Sequence, residues 1–89
     1  MHYTKYKKIS GGKSIKIDLE IIDGKIVKFI LSGDFFAFPN EKLEEMEKKI
    51  IGKSIDEAEK IINEYKYKIN LIGISFNDIL SLLNEIPIS

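Results

Sequence analysis

Residues 15–21 read Ile-Lys-Ile-Asp-Leu-Glu-Ile, and no other segment restricts the fold as much. Apolar and charged residues alternate with period two, the pattern of a strand with one buried and one wet face. A helix would scatter Ile15, Ile17, Leu19 and Ile21 around its circumference. Asp23-Gly24 then supplies a hairpin signal, and Lys25 to Leu31 a returning arm. The apolar face of this hairpin must be covered by something else in the chain.

Burial constrains the register, because a one-residue slip moves every side chain to the other face. With Asp23-Gly24 as a regular two-residue loop, Leu19 faces Lys28, and Val27, Phe29 and Leu31 fall on the charged side. A three-residue loop, Ile22-Asp23-Gly24 with Gly24 as a left-handed bulge residue, pairs Leu19 with Val27, Ile17 with Phe29 and Ile15 with Leu31. It also sets Asp18 against Lys28 on the outer face, a favourable cross-strand pair. The sequence therefore predicts the three-residue loop.

Tyr3 to Ile9 reads as a further basic strand, broken by Ser10-Gly11-Gly12. Helical signals follow. Asn40 is placed to cap a helix from Glu41 to Ile51, closed by Gly52, with Leu43, Met46 and Ile50 on its apolar stripe. Glu44–Lys48 and Glu45–Lys49 have the spacing of favourable ion pairs on it. Ser54 to Glu57 is a capping box opening a second helix, with Ile55, Ala58, Ile61, Ile62 and Tyr65 on one side. Ser75 caps a third, with Ile74 and Ile79 as a hydrophobic staple. Its buried face is Ile79, Leu80, Leu82, Leu83 and Ile86, and Pro87 ends it. Lys66 to Ile72 fits a last helical turn, a loop or a short edge strand. Strands followed by helices predict a single α+β domain over residues 1–89: a small antiparallel sheet of about three N-terminal strands, packed on one face by about three helices.

Composition narrows the chemistry. The 89 residues contain no Cys and one His, at position 2. That removes disulfides, thiol nucleophiles, thiolate metal sites and His-based triads. All 14 basic residues are Lys, so bidentate guanidinium clamping of phosphate or carboxylate is also absent. No apolar stretch approaches the roughly 20 residues of a membrane span. Met1 to Lys5 carries no apolar leader, which predicts a cytoplasmic address. The formal net charge of 0 conceals a basic N-terminal third and an acidic remainder. Such a dipolar chain suits charge-steered docking, and it equally fits strands and helices that differ in surface composition.

Three segments draw attention. Gly33-Asp34-Phe35-Phe36-Ala37-Phe38-Pro39 joins the hairpin to the first helix. Gly33 at a strand end signals a bulge or a close backbone approach, and Asp34 can cap the turn through its side chain. In an extended backbone Phe36 and Phe38 share one face and Phe35 takes the other. Either all three fill the space between sheet and helices, or one side stays exposed as an interface anchor. Ser10-Gly11-Gly12-Lys13 invites a phosphate-loop reading, but it lacks the full spacing and is followed by a strand where that motif needs a helix. A tight turn is the better reading. Tyr3, Lys5, Tyr6, Lys7 and Lys8 interleave aromatics with Lys as nucleic-acid binders do, yet the neutral net charge argues for no nucleic acid. No acid, base and nucleophile fall at catalytic spacing.

Tyr6 to Lys13, the alternating strand, Asp23-Gly24-Lys25-Ile26, and above all Gly33-Asp34-Phe35-Phe36 followed by Phe38-Pro39 resemble the C-terminal accessory domain of lipoate–protein ligases. Ile72-Gly73-Ile74-Ser75 fits the same pattern. The likeness covers residues 5–52 closely and 70–86 loosely. It implies a non-catalytic accessory subunit of a split, archaeal-type ligase, docked on a large catalytic subunit and needed mainly for adenylation. In that family lipoate and ATP, with Mg, give lipoyl-AMP. The lipoyl group then passes to a lysine of a lipoyl-domain acceptor, such as 2-oxoacid dehydrogenase E2 or the glycine-cleavage H protein. The adenylate-binding residues belong to the large subunit, so the resemblance implies no cofactor bound by this chain alone and no metal site on it. It points to Gly33, Asp34, Phe35 and Phe36, with Gly11, Gly12 and Lys13, as the surface that docks and closes the active site. The fold it implies is shared with iron–sulfur assembly scaffolds, whose cysteine chemistry this chain lacks. A small adapter that regulates an unrelated enzyme is the other reading.

Overall fold

The alternating run forms the central strand. In a computed structural model, which describes residues 1–9, 11 and 13–87, β2 (Lys13–Ile22) lies between antiparallel β1 (His2–Ile9) and β3 (Lys25–Gly33). Ile15, Ile17 and Leu19 are fully buried on one face, as their alternation requires.

The hairpin register corrects the three-residue loop. Ile22 pairs with Lys25 around a two-residue turn, in which Asp23 (φ 52°) and Gly24 (φ 75°) both adopt the positive φ of a type I′ turn. Ile21 pairs with Ile26, and Glu20 then pairs with Lys28, leaving Val27 as an extra residue. That β-bulge restores the parity that an unbroken ladder would lose. Leu19 faces Phe29 and Ile17 faces Leu31, whereas the expected partners were Val27 and Phe29; Ile15 faces Gly33 in place of Leu31. Burial did select the face: Ile26, Phe29 and Leu31 all point into the core, and Val27 is left outside. A turn of tight intrinsic preference and a bulge together satisfied it. Asp18 accordingly lies opposite Ile30, not Lys28. It accepts a hydrogen bond from Thr4 Oγ1 at 2.9 Å and lies 3.6 Å from Lys16 Nζ, which hold its carboxyl below the usual range.

The bulge is tied to the helical layer. The Ile26 N–H donates to the Lys53 carbonyl at 2.8 Å, and the Gly52 N–H donates to the Ile26 carbonyl at 2.6 Å. Farther along β3, the Leu31 N–H donates to Glu47 Oε2 at 2.9 Å. Partial burial raises the Glu47 carboxyl above its ordinary value, with Glu44 adding repulsion. A raised carboxyl favours folding in its neutral form, so this contribution is present at low pH and fades as pH rises through the folded value. Glu47→Gln keeps a carbonyl acceptor without a charge to desolvate. At pH 7 it is expected to match or exceed the parent stability by up to about 1 kcal/mol, and the gap should close in urea titrations at pH 4. A Gln variant less stable at pH 7 than at pH 4, relative to the parent, would contradict this.

α1 (Asn40–Ile50), α2 (Ile55–Glu64) and α3 (Phe76–Asn84) cover the sheet. Asn40 is not the expected cap: α1 starts at Asn40 after an extended Pro39, with no side-chain cap. Leu43, Met46 and Ile50 form its buried stripe. Ser54 and Ser75 both make full capping boxes, with Glu57 and Asp78. Neither i,i+4 pair of α1 closes to ion-pair distance among the described residues. Glu45 instead lies 3.5 Å from Lys42 and accepts from the Tyr65 hydroxyl at 2.5 Å. Tyr65 is fully buried beneath Lys49 and Lys68, whose Nζ atoms lie 5.4 and 5.0 Å from its ring centre. Burial first, and the Glu45 acceptor second, push its phenol up to about 12.

The ambiguous stretch resolves into a 3₁₀ turn (Tyr65–Tyr67) and a strand, β5 (Asn70–Ile72). β5 pairs antiparallel with β4 (Phe36–Phe38) as a second, two-stranded sheet. The architecture is therefore α+β, with a three-stranded sheet, a small second sheet and, among the described residues, three α-helices.

Candidate functional site

The junction begins where β3 runs close against the start of β2. Gly33 pairs with Ile15 and has φ +143°. A Cβ there would lie 2.2 Å from the Ser14 carbonyl oxygen and 2.9 Å from its carbon. Only glycine fits, because the space a side chain needs is occupied by backbone. Asp34 then folds back on the same residue: its N–H donates to the Ser14 carbonyl at 3.0 Å, and Ser14 Oγ donates to Asp34 Oδ2 at 3.1 Å. The Asp34 side chain thus ties the turn to β2 through the Ser14 hydroxyl, where the sequence suggested a cap on the turn's own backbone. Gly73 approaches from the other sheet, where a Cβ would lie 3.2 Å from the Asp34 carbonyl oxygen and 3.5 Å from Lys13 Cδ. Lys13, the adjacent Gly33 and Asp34, and Gly73, three stretches far apart in sequence, share one corner of the molecule.

Beyond that corner the Phe residues divide by face. Phe35 is half-buried and packs on the core. Phe36 and Phe38 point outward, 64% and 55% exposed, with ring centres 6.5 Å apart and planes inclined by 20°. Ile72, directly opposite Phe36 on β5, is 55% exposed and extends the same patch. Ala37 and Leu71 form the inward pair between them. Gly11 has φ +86° in the β1–β2 turn, which leads into a strand. Ser10 and Gly12 lie outside the described residues.

Ser14, Phe38, Ile72 and Gly73 belong to this region but were not among the residues the sequence singled out for the site. Phe38 had a signal, since it shares the parity of Phe36. Ile72 and Gly73 had a signal in the family resemblance, but nothing set them beside the junction until β5 paired with β4. Among the described residues no three His, Asp or Glu side chains are grouped to hold a metal, and no helix is long and apolar enough to cross a membrane. The corner offers shape, an apolar anchor and one charge of each sign.

A fold of this kind occurs in known proteins. The family described as the bacterial lipoate protein ligase C-terminus matches residues 1–83. The chain belongs to that family. Lipoate-protein ligase A subunit 2 of Thermoplasma acidophilum is 30% identical to it over 87 residues, spanning 97% of this chain and 92% of the relative. A solved structure of an archaeal lipoylation system from the same organism, described as a bi-partite lipoate protein ligase and its E2 lipoyl domain, contains a chain that superposes with a TM-score of 0.81. That chain is 28% identical, and the match covers 93% of this chain and 94% of that one. In this lipoate–protein ligase C-terminal domain two sheets combine with, among the described residues, three α-helices, and the Gly33–Pro39 junction lies at the surface.

Proposed function

We propose that the chain is the accessory subunit of a bipartite lipoate–protein ligase, and that it supports lipoyl-AMP formation by docking on the large catalytic subunit. The observation that carries this reading is the stacked, exposed Phe36–Phe38 pair in a chain of that family. Two large aromatics held side by side on a short rigid sheet are a poor surface for water and a good one for an interface centre.

The chemistry belongs to the complex. ATP is consumed as the lipoate carboxylate is adenylated, and pyrophosphate leaves. The lipoyl group then passes to a lysine of a lipoyl-domain acceptor, with E2 and the H protein as the acceptor classes. This chain contributes a surface. The corner of Lys13, Gly33 and Asp34, with the turn at Gly11, lies beside the aromatic patch and closes over the nucleotide side of the partner. Water excluded there strengthens every electrostatic contact on the transferring adenylyl group. A cytoplasmic address follows, since ATP and the acceptor enzymes are found there.

The test is lipoyl-AMP formation by the catalytic subunit with and without this chain. Formation should rise at least tenfold on addition and saturate at a one-to-one ratio. A rate unchanged by the chain would leave the small-adapter reading in its place.

A further inference from the structure

The two edges of the three-stranded sheet are treated differently. β3 is covered: Ile26 exchanges both of its outward backbone groups with Gly52 and Lys53, and the Leu31 N–H is taken by Glu47. At the other edge, the Met1 amino group and carbonyl bond with the Ile21 carbonyl and N–H. With Tyr3 opposite Leu19, Lys5 opposite Ile17 and Lys7 opposite Ile15, antiparallel alternation then points the N–H and C=O of His2, Thr4, Tyr6 and Lys8 away from β2. Among the described residues none of these outward groups has a hydrogen-bond partner in the chain. β1 is 8 residues long and unbroken, a length rare for an uncovered edge.

Its charge is one-sided. β1 carries Lys5, Lys7, Lys8 and no acid. Among the described residues only Lys7 of the three is ion-paired, with Asp78 of α3 at 3.6 Å. A second copy of β1 laid alongside would set lysines against lysines, so the edge is guarded against its own kind. An extended segment rich in carboxylates meets the opposite situation, with main-chain bonds for affinity and lysines for selection.

We infer that β1 is a strand-addition site, and that its occupant is an extended acidic segment of the catalytic subunit, added as a fourth strand beside Tyr6. This rests on the accessory-subunit reading and specifies a second contact for it, separate from the aromatic patch. A Pro at position 6 tests it cleanly. The Tyr6 N–H makes no bond to β2, so an edge proline leaves the native ladder intact while removing one outward donor and adding bulk against an incoming strand.

The experiment uses the full chain and its cognate catalytic subunit. Hydrogen exchange of the His2, Thr4, Tyr6 and Lys8 amides should slow at least tenfold in the complex. Tyr6→Pro should weaken binding tenfold or more with an unchanged circular dichroism spectrum, whereas Tyr6→Ala should bind within about threefold of the parent. Lys5→Glu with Lys8→Glu should weaken binding and flatten its salt dependence. A complex that forms without protection of these amides, or binds Tyr6→Pro as well as the parent, overturns the strand-addition site and leaves the accessory role standing. A salt-stable homodimer through β1 in sedimentation overturns it in favour of a second copy. Absence of any complex overturns both.

Discussion

Gly33→Ala is expected to lower stability by about 3–5 kcal/mol, a fall in Tm on the order of 20 °C for a domain of this size. The cause is steric and local. The added methyl would meet the Ser14 carbonyl at 2.2 Å, a backbone atom in β2 that cannot swing aside as a side chain can. Relief requires β3 to separate from β2 at Ile15, or Gly33 to leave φ +143°. Either change also pulls Asp34 from Ser14, losing both hydrogen bonds of the corner. Gly24→Ala is the control. Gly24 also has positive φ, +75°, but a Cβ there meets nothing within 4 Å. It should cost only about 1 kcal/mol. Thermal unfolding of the two variants separates backbone strain from collision, and a Gly33→Ala protein melting within a few degrees of Gly24→Ala would refute the collision.

Which faces are buried was legible in the sequence, and how the strands meet was only partly so. Ile15, Ile17 and Leu19 announced their side of β2 through strict alternation, and the capping boxes at Ser54 and Ser75 announced two helix starts through local chemistry. Both signals act within a few residues. The hairpin register depended on two local devices acting together, the Asp23-Gly24 turn and the bulge at Val27. Regular pairing could satisfy burial only by lengthening the loop. The bulge is stabilised from outside the hairpin, by Gly52 and Lys53, which no pattern within residues 15–31 reports. β5 was legible only as one of three readings of Lys66 to Ile72, for the same reason. Asn70–Ile72 is too short to show a period, and it becomes a strand because β4 offers it a ladder. The site shared this limit. The junction was conspicuous for its glycine and aromatics, while its completion by Ser14, Gly73 and Ile72 came from tertiary contacts.

The face assignment of the three Phe residues decides which substitution tests the docking surface. Phe35→Ala removes a half-buried ring packed on the core, so lost activity there mixes weakened folding with weakened docking. Phe36 and Phe38 contact each other and solvent, and their truncation should leave the melting temperature within a few degrees of the parent. The double variant Phe36→Ala with Phe38→Ala is expected to raise the concentration of this chain needed for half-maximal lipoyl-AMP formation by about 30-fold or more, the effect of losing roughly 2 kcal/mol of anchor energy. Its plateau at saturation should approach the parent rate, because the rings hold the subunits together and touch no reacting atom. Asp34→Ala behaves differently if the Lys13–Asp34 corner closes the nucleotide site: the half-saturating concentration should move little and the plateau should fall. A titration of each variant against a fixed amount of catalytic subunit reads both quantities. A double variant with parent half-saturation would remove the aromatic patch from the interface, whatever the fate of the corner.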